Sequence, residues 1–257
     1  MTSRDTLPDL ADTNLFYRQP GLYDQVQADP LHEVARQVER FVAQYAPAAQ
    51  TLLDFGCGTG RDLEYLTTRF DCVGVDVQPR MVAYANQVRP QLDVRLGDMR
   101  DFRLGEAVDV VTCLGNSLAY IREPGDLADV FGTFAAHSRP GTLLIIATLS
   151  NPVLAEPKRH RIDTADLHGE VTVSYEWDEE TGINTMLRTW LLDDGETNID
   201  CIRRHVVPPI ALSELLVVNR FDQLGPIEAA PSQFSVAIST LTADINNAAD
   251  QAEHRSN

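Results

Sequence analysis

Three glycines recur at every second position between residues 56 and 60, as Gly56-Cys57-Gly58-Thr59-Gly60. Glycine lacks a Cβ, so such a stretch can turn sharply and let a ligand approach the backbone closely. The apolar run Leu52-Leu-Asp54-Phe precedes it and a helical pattern starts at Arg61. A glycine loop that opens a helix offers free N–H groups to a negatively charged ligand group. A triphosphate loop would need Gly-Lys-Ser/Thr, but Arg61 and Asp62 stand there. A dinucleotide loop prefers G-x-G-x-x-G, and the spacing here is G-x-G-x-G. The loop alone therefore indicates only a nucleotide-like ligand.

Two carboxylates narrow the choice. Asp76 closes the apolar segment Val73-Gly-Val, where it can accept hydrogen bonds from ribose hydroxyls. A helix cap or loop carboxylate is its plainer alternative. Asp98 follows the next apolar segment in Leu96-Gly97-Asp98-Met99, where it can accept from an adenine amino group, with Met99 and Met81 against the ring. A dehydrogenase has no need of that third element, although a NAD-dependent oxidoreductase stays the alternative reading of the loop.

The elements that must position these groups alternate. Pro30 to Tyr45 carries apolar residues at helical spacing, and Thr51 to Phe55 reads as a strand. Helices are predicted over Arg61 to Phe70, Pro79 to Val88 and Pro124 to His137. Strands are predicted over Cys72 to Val77, Leu92 to Leu96, Val108 to Leu114 and Thr142 to Thr148. Alternation of this kind implies parallel crossovers and an α/β doubly wound, mostly parallel sheet. Near-continuous Val, Ile and Leu support it, since parallel strands are covered on both faces. After Asn151 the pattern has period two: Glu170 to Trp177, Asn184 to Leu192 and Ile199 to Val207 are predicted as an antiparallel β insert. The turn between the first two carries Asp178, Glu179 and Glu180, which as hairpin charge is solvated. A short helix over Leu212 to Val218 and strands over Phe221 to Glu228 and Phe234 to Thr240 complete a seven-stranded sheet. The expected organisation is one ligand-binding domain at 15–150 and 208–242, a covering subdomain at 151–207, and flexible ends at 1–14 and 243–257.

Composition limits the partners. The formal net charge is −17 and no Lys/Arg-rich run exists, whereas nucleic-acid binders present a basic patch. DNA, RNA and anionic membranes are disfavoured. An acidic balance suits a cationic small molecule through long-range attraction, but solubility alone accounts for it. The four cysteines, Cys57, Cys72, Cys113 and Cys201, form no C-x-x-C pair and have no histidine cluster beside them, so no metal site is expected. The polar start and the absence of a long apolar run suggest a cytoplasmic protein without signal peptide or membrane span. A homo-oligomer is compatible with all of this.

Taken together, LLDFGCGTG at 52–60, GVDVQPRMVAYA at 74–85, GDMRDF at 97–102 and TCLGNSLAYI at 112–121 resemble the class I S-adenosylmethionine-dependent methyltransferases. The resemblance covers residues 15–150 well and the last two strands more loosely. It implies S-adenosyl-L-methionine as cofactor, held by Asp54, Gly56, Cys57, Gly58, Gly60, Asp76, Val77, Met81, Gly97, Asp98, Met99, Leu114 and Gly115. More narrowly, FYRQPGLYDQV at 16–26, GDMRDF and the antiparallel insert are similar to the amino-sugar N-methyltransferases and related antibiotic-tailoring enzymes. In that family the insert roofs the substrate and an aromatic N-terminal segment closes over the cofactor. By this likeness Tyr17 and Tyr23 would line the sulfonium end; packing of an N-terminal helix is the alternative. Asn116, Tyr175 and Trp177 would face the acceptor. No sugar-nucleotide motif can be matched in the insert, and Asn116-Ser117 departs from the Asn/Asp-Pro-Pro-Tyr run of nucleic-acid amino-methylating enzymes.

Methyl transfer from a sulfonium needs orientation and exclusion of water more than a nucleophile. An amine acceptor must first lose its proton, which Tyr17, Tyr23, His160 or His205 could relay. For each histidine a surface or structural role competes. The expectation is N-methylation of an amino sugar or natural-product amine. O-methylation of a hydroxyl or carboxylate is the near alternative, and a non-catalytic cofactor-binding protein a more distant one.

Overall fold

The structure, a computed structural model, describes residues 14–225 and 233–241. The ends expected to be flexible fall outside these residues, apart from Asn14. That residue is buried, and its side chain caps the first helix.

The chain opens with two short helices, α1 (Leu15–Arg18) and α2 (Pro20–Val26), followed by α3 (Glu33–Tyr45). Helix α3 starts later than its apolar periodicity suggests because His32 adopts a left-handed backbone, φ 50°. Its inward stripe is Ala35, Val38 and Val42. There follow β1 (Thr51–Phe55), α4 (Arg61–Leu66), β2 (Asp71–Asp76), α5 (Pro79–Val88), β3 (Asp93–Leu96), β4 (Val108–Cys113), a 3-10 turn at Ser117–Tyr120, α6 (Pro124–Ala136) and β5 (Ser138–Thr148). After the insert come α7 (Pro209–Val218), β10 (Phe221–Gln223) and β11 (Gln233–Ser239).

These strands form one seven-stranded sheet in the order β10-β11-β5-β4-β1-β2-β3. Strands β1 to β5 pair in parallel, and β11 runs antiparallel between β5 and β10. Neighbouring residues within one strand serve opposite faces: Leu53, Phe55, Val111 and Leu144 pack towards α6 and α7, while Leu52, Val110, Leu143 and Ile145 pack towards α3, α4 and α5. Burial on both faces explains why these strands read as continuous apolar runs rather than as alternation.

The insert forms a separate four-stranded antiparallel sheet, β6 (Lys158–Asp163), β7 (His168–Asp178), β8 (Ile183–Leu192) and β9 (Thr197–His205), paired in that order. Strand β6 adds to the three strands expected. Its sequence KRHRID lacks apolar alternation because it is an exposed edge, where charges discourage pairing with other chains. At the turn after β7, the Asp178 carboxylate accepts from the Glu180 and Thr181 amides and the Thr181 hydroxyl, so its charge serves the hairpin.

The two sheets are joined through the N-terminal segment. Leu15, Phe16 and Leu22 bury against Leu167, Val171 and Trp190 of the insert. Trp177 packs with Leu149 and Val206 at the root of the insert.

Candidate active site

The strand order reverses between β1 and β4, and in open α/β sheets ligands bind at the carboxyl ends of strands at such a point. A cleft lies there. Its walls are Gly56 after β1, Val75 to Gln78 at the end of β2, Gly97 to Met99 after β3, Ser117, Tyr120 and Ile121 after β4, and Tyr17 from α1. It encloses about 510 Å³, counting its open mouth.

The glycine loop is shaped as its spacing requires. Gly56, Gly58 and Gly60 all have positive φ, at 78°, 57° and 76°. The Gly56 and Cys57 amides both donate to the Val75 carbonyl, at 2.7 and 3.2 Å, which ties the loop to β2. The glycines are not equivalent. A Cβ on Gly56 would fall 2.3 Å from Ser117 Oγ, and one on Gly60 would lie 3.0 Å from Leu92; one on Gly58 would meet no protein atom within 4 Å. The space over Gly58 is therefore open, and Gly58 itself is not among the residues lining the cleft.

Asp76 is 8% exposed and lies on the cleft wall. One carboxylate oxygen accepts from the Gly58 amide and the other from the Gln78 amide, both at 2.8 Å. Burial raises its pKa and the two amides draw it back. Each oxygen retains a lone pair, so the group can still accept from a pair of hydroxyls. Asp98, on the adjacent wall, is held by Arg100, whose Nη2 lies 2.6 Å from it; the Arg100 Nη1 reaches Asp126 at 2.6 Å. Gly97 leaves room there, since a Cβ would press on Phe102 and Val75 at 2.6 and 3.0 Å.

Tyr17 faces Tyr120 with ring centroids 6.3 Å apart. Burial, then the neighbouring Tyr120, holds the Tyr17 phenol well above its ordinary pKa. Tyr17 is thus a neutral hydrogen-bonding group at physiological pH and unsuited to be a phenolate base.

The cleft brings together Tyr17, Gly56, Asp76, Val77, Gly97, Asp98 and Met99 of the anticipated residues. Others stand apart. Met81 is 1% exposed and turns with Val82 and Ala85 into the interior, because that is the inward stripe of α5. Leu114 is buried in the core behind β4. Cys57 tucks under Gly74, where burial pushes its thiol up. Gly60 caps α4. Asp54 is buried between strands, accepting from the Thr112 hydroxyl at 2.7 Å, and burial raises its pKa to about 8. Tyr23 packs edge-on against Phe16, with the Arg61 guanidinium 5.4 Å from its ring centre, rather than on the cleft wall. Gly115 and Asn116 form the left-handed turn that precedes Ser117.

Four anticipated residues, His160, Tyr175, Trp177 and His205, lie in the insert. His160 is exposed on the edge strand β6 and does not line the cleft. Tyr175 is half-buried on β7, and Trp177 serves the packing at the insert's root. His205 ends β9 against Gly182, and burial lowers its pKa. No histidine lines the cleft among the described residues. The structure adds Val75, Gln78, Ser117, Tyr120 and Ile121 to the walls. A 3-10 turn repeats every three residues, which puts Ser117 and Tyr120 on one side, but one turn is too short to show that period in the sequence.

Fold and site together are those of a doubly wound α/β domain with a ligand cleft at the switch point of its sheet. Residues 52–141 match the family described as methyltransferase domain, and this stretch carries the glycine loop, Asp76 and Asp98. Among curated proteins, the chain is 34% identical over 113 residues to the dTDP-3-amino-3,4,6-trideoxy-alpha-D-glucopyranose N,N-dimethyltransferase of Streptomyces venezuelae, covering 44% of this chain and 48% of that one. It is 39% identical over 113 residues to the dTDP-4-amino-2,3,4,6-tetradeoxy-D-glucose N,N-dimethyltransferase of Saccharopolyspora spinosa, covering 44% and 45%. The chain spans about half the length of the curated relatives it matches. The fold as a whole is similar to S-adenosylmethionine-bound CalS10, an amino pentose methyltransferase from Micromonospora echinaspora, with TM-score 0.75, 22% identity, and 83% of this chain and 93% of that one covered. It is likewise similar to the sugar N-methyltransferase KedS8 from Streptoalloteichus, with TM-score 0.74, 24% identity, and 93% and 96% covered. Among the described residues no helix is long and apolar enough to cross a membrane.

Proposed function

We propose that the chain transfers a methyl group from S-adenosylmethionine to the amino group of a nucleotide-linked amino sugar. The observation that carries the reading is the cleft, where the ends of four successive parallel strands meet under an aromatic residue of the N-terminal helix. The amine and the sugar are supported by the relatives' names, which state dTDP-linked amino sugars and N,N-dimethyl transfer.

The residues fit the cofactor. The uncovered space over Gly58 suits a ligand close to the backbone, and Asp76 offers its remaining lone pairs to ribose hydroxyls. Gly97, Asp98 and Met99 make a wall suited to adenine. S-adenosylmethionine, when bound, supplies a methyl group already activated on a sulfonium. The chain's part is to orient the amine and exclude water. Tyr17 and Tyr120 line the cleft and present phenol groups that can hydrogen-bond an amine.

Mass spectrometry of products tests the reading. Thymidine-diphosphate-linked amino sugars and their hydroxyl counterparts are offered with S-adenosylmethionine. A gain of one or two methyl groups by the amine only is expected. Methylation of the hydroxyl compounds would replace this reading with O-methyl transfer. Binding of S-adenosylhomocysteine without any turnover of these acceptors would overturn it.

A further inference from the structure

Helix α1 places Tyr17 on the cleft wall, yet it has only four residues. Helices this short do not hold themselves, because nucleation costs more than so few hydrogen bonds return. Something outside α1 must seat it. The seat lies in the insert. Asp200 of β9 is fully buried; its carboxylate accepts from the Leu15 amide at 2.7 Å and the Trp190 indole at 2.8 Å, and forms an ion pair with the Arg188 guanidinium at 3.0 Å. Arg188 in turn donates to the Asn14 side chain at 2.6 Å, and Asn14 caps the Phe16 amide at 3.0 Å. The Arg188 guanidinium lies 4.3 Å from the centre of the Phe16 ring, and Trp190 meets the same ring edge-on at 5.7 Å. Residues 14, 15 and 16 are therefore each gripped by Asp200 or by a group bonded to it.

We propose that Asp200 is a positioning residue for cofactor binding. Its carboxylate fixes the first turn of α1 and thereby sets Tyr17 against the cleft, so the sheet covering the acceptor side also governs retention of the cofactor. The proposal rests on the cleft being the S-adenosylmethionine site. The linkage is reciprocal: a ligand that orders the inner face of the insert must tighten cofactor binding by the factor with which the cofactor tightens its own.

Removing Asp200 altogether would strand a buried Arg188, so gentler variants make the test. Leu15→Pro deletes the amide that donates to Asp200. Proline is tolerated at the first position of a helix, and Asn14 before it is already extended at φ −148°. Leu15→Ala keeps the amide and controls for the lost side chain. Asp200→Asn keeps the shape and loses the charge. Dissociation constants for S-adenosylhomocysteine are measured by calorimetry in full-length proteins, at a temperature where circular dichroism shows each to be folded. The expected result is a loss of about tenfold for Leu15→Pro and Asp200→Asn, the scale of one buried charge-assisted hydrogen bond. Leu15→Ala should lose clearly less. Combining Asp200→Asn with Tyr17→Ala should cost no more than Tyr17→Ala alone, because both act through one ring. Lowered melting temperatures with unchanged dissociation constants would overturn the proposal and make Asp200 purely structural. Full additivity with Tyr17→Ala would also overturn it. Absence of binding in the unsubstituted protein would remove the cofactor assignment itself, and the proposal with it.

Discussion

The carboxylate of Asp76 holds the amide of Gly58 at 2.8 Å, across 18 residues of chain. The same group holds Gln78 through its other oxygen. One side chain thus fixes both the glycine loop and the entry to α5, and such preorganisation lowers the cost of binding. Asp76→Ala should therefore weaken S-adenosylhomocysteine binding by about 10- to 100-fold, combining a lost ligand contact with a loosened loop. Calorimetry reads the outcome, and unchanged affinity would remove Asp76 from the site.

Gly56 and Gly58 should separate stability from binding. Alanine at Gly56 would set a Cβ 2.3 Å from Ser117 Oγ in a left-handed backbone, so the melting temperature should fall markedly. Alanine at Gly58 meets open space and carries only the left-handed strain of about 1–2 kcal/mol. Its melting temperature should fall less while cofactor affinity falls more. Paired melting curves and titrations give the comparison; the opposite ranking would contradict the cradle.

Asp54 should make stability depend on pH. Burial raises its carboxyl to about 8 in the folded chain, against an ordinary value of 3.8. The folded state thus keeps a proton that the unfolded state releases. Its contribution is fully present below the ordinary carboxylate range and is lost as pH rises to about 8. Asp54→Asn, which can still accept from Thr112, should flatten the fall in melting temperature between pH 5 and 8. A slope unchanged by the substitution would show that other groups carry it.

Arg100 bridges Asp98 and Asp126 at 2.6 Å each. Arg100→Met would leave Asp98 without its guanidinium on the cleft wall. A loss of about 1–3 kcal/mol in stability is expected, with a severalfold weaker grip on S-adenosylhomocysteine. Chemical denaturation and calorimetry check the two effects, and intact affinity would show that the Arg100 guanidinium does not place Asp98 for the ligand.

Much of this arrangement was legible in the chain itself. Strands such as Val108–Cys113 are covered on both faces, so their composition announced them. The glycine spacing and the carboxylate at the tip of β2 led to the same place as the cleft. What escaped did so for physical reasons. Strand β6 is an edge that carries charge instead of an apolar pattern. Met81 was expected with Met99 against the adenine ring beside Asp98, but the inward stripe of α5 delivers it to the core. Tyr120 was missed because a single 3-10 turn is too short to show its period. Asp200 was invisible for another reason: its partners Leu15 and Trp190 are 185 and 10 residues away, and only the folded chain brings them together.

Both tryptophans of the chain, Trp177 and Trp190, lie in the second sheet, and one of them donates its indole N–H to Asp200. Excitation of tryptophan therefore reports on the second sheet and not on the first. The emission spectrum is a built-in optical monitor of how α1 sits on the insert, and replacing Trp177 by phenylalanine would narrow it to a single reporter at the latch.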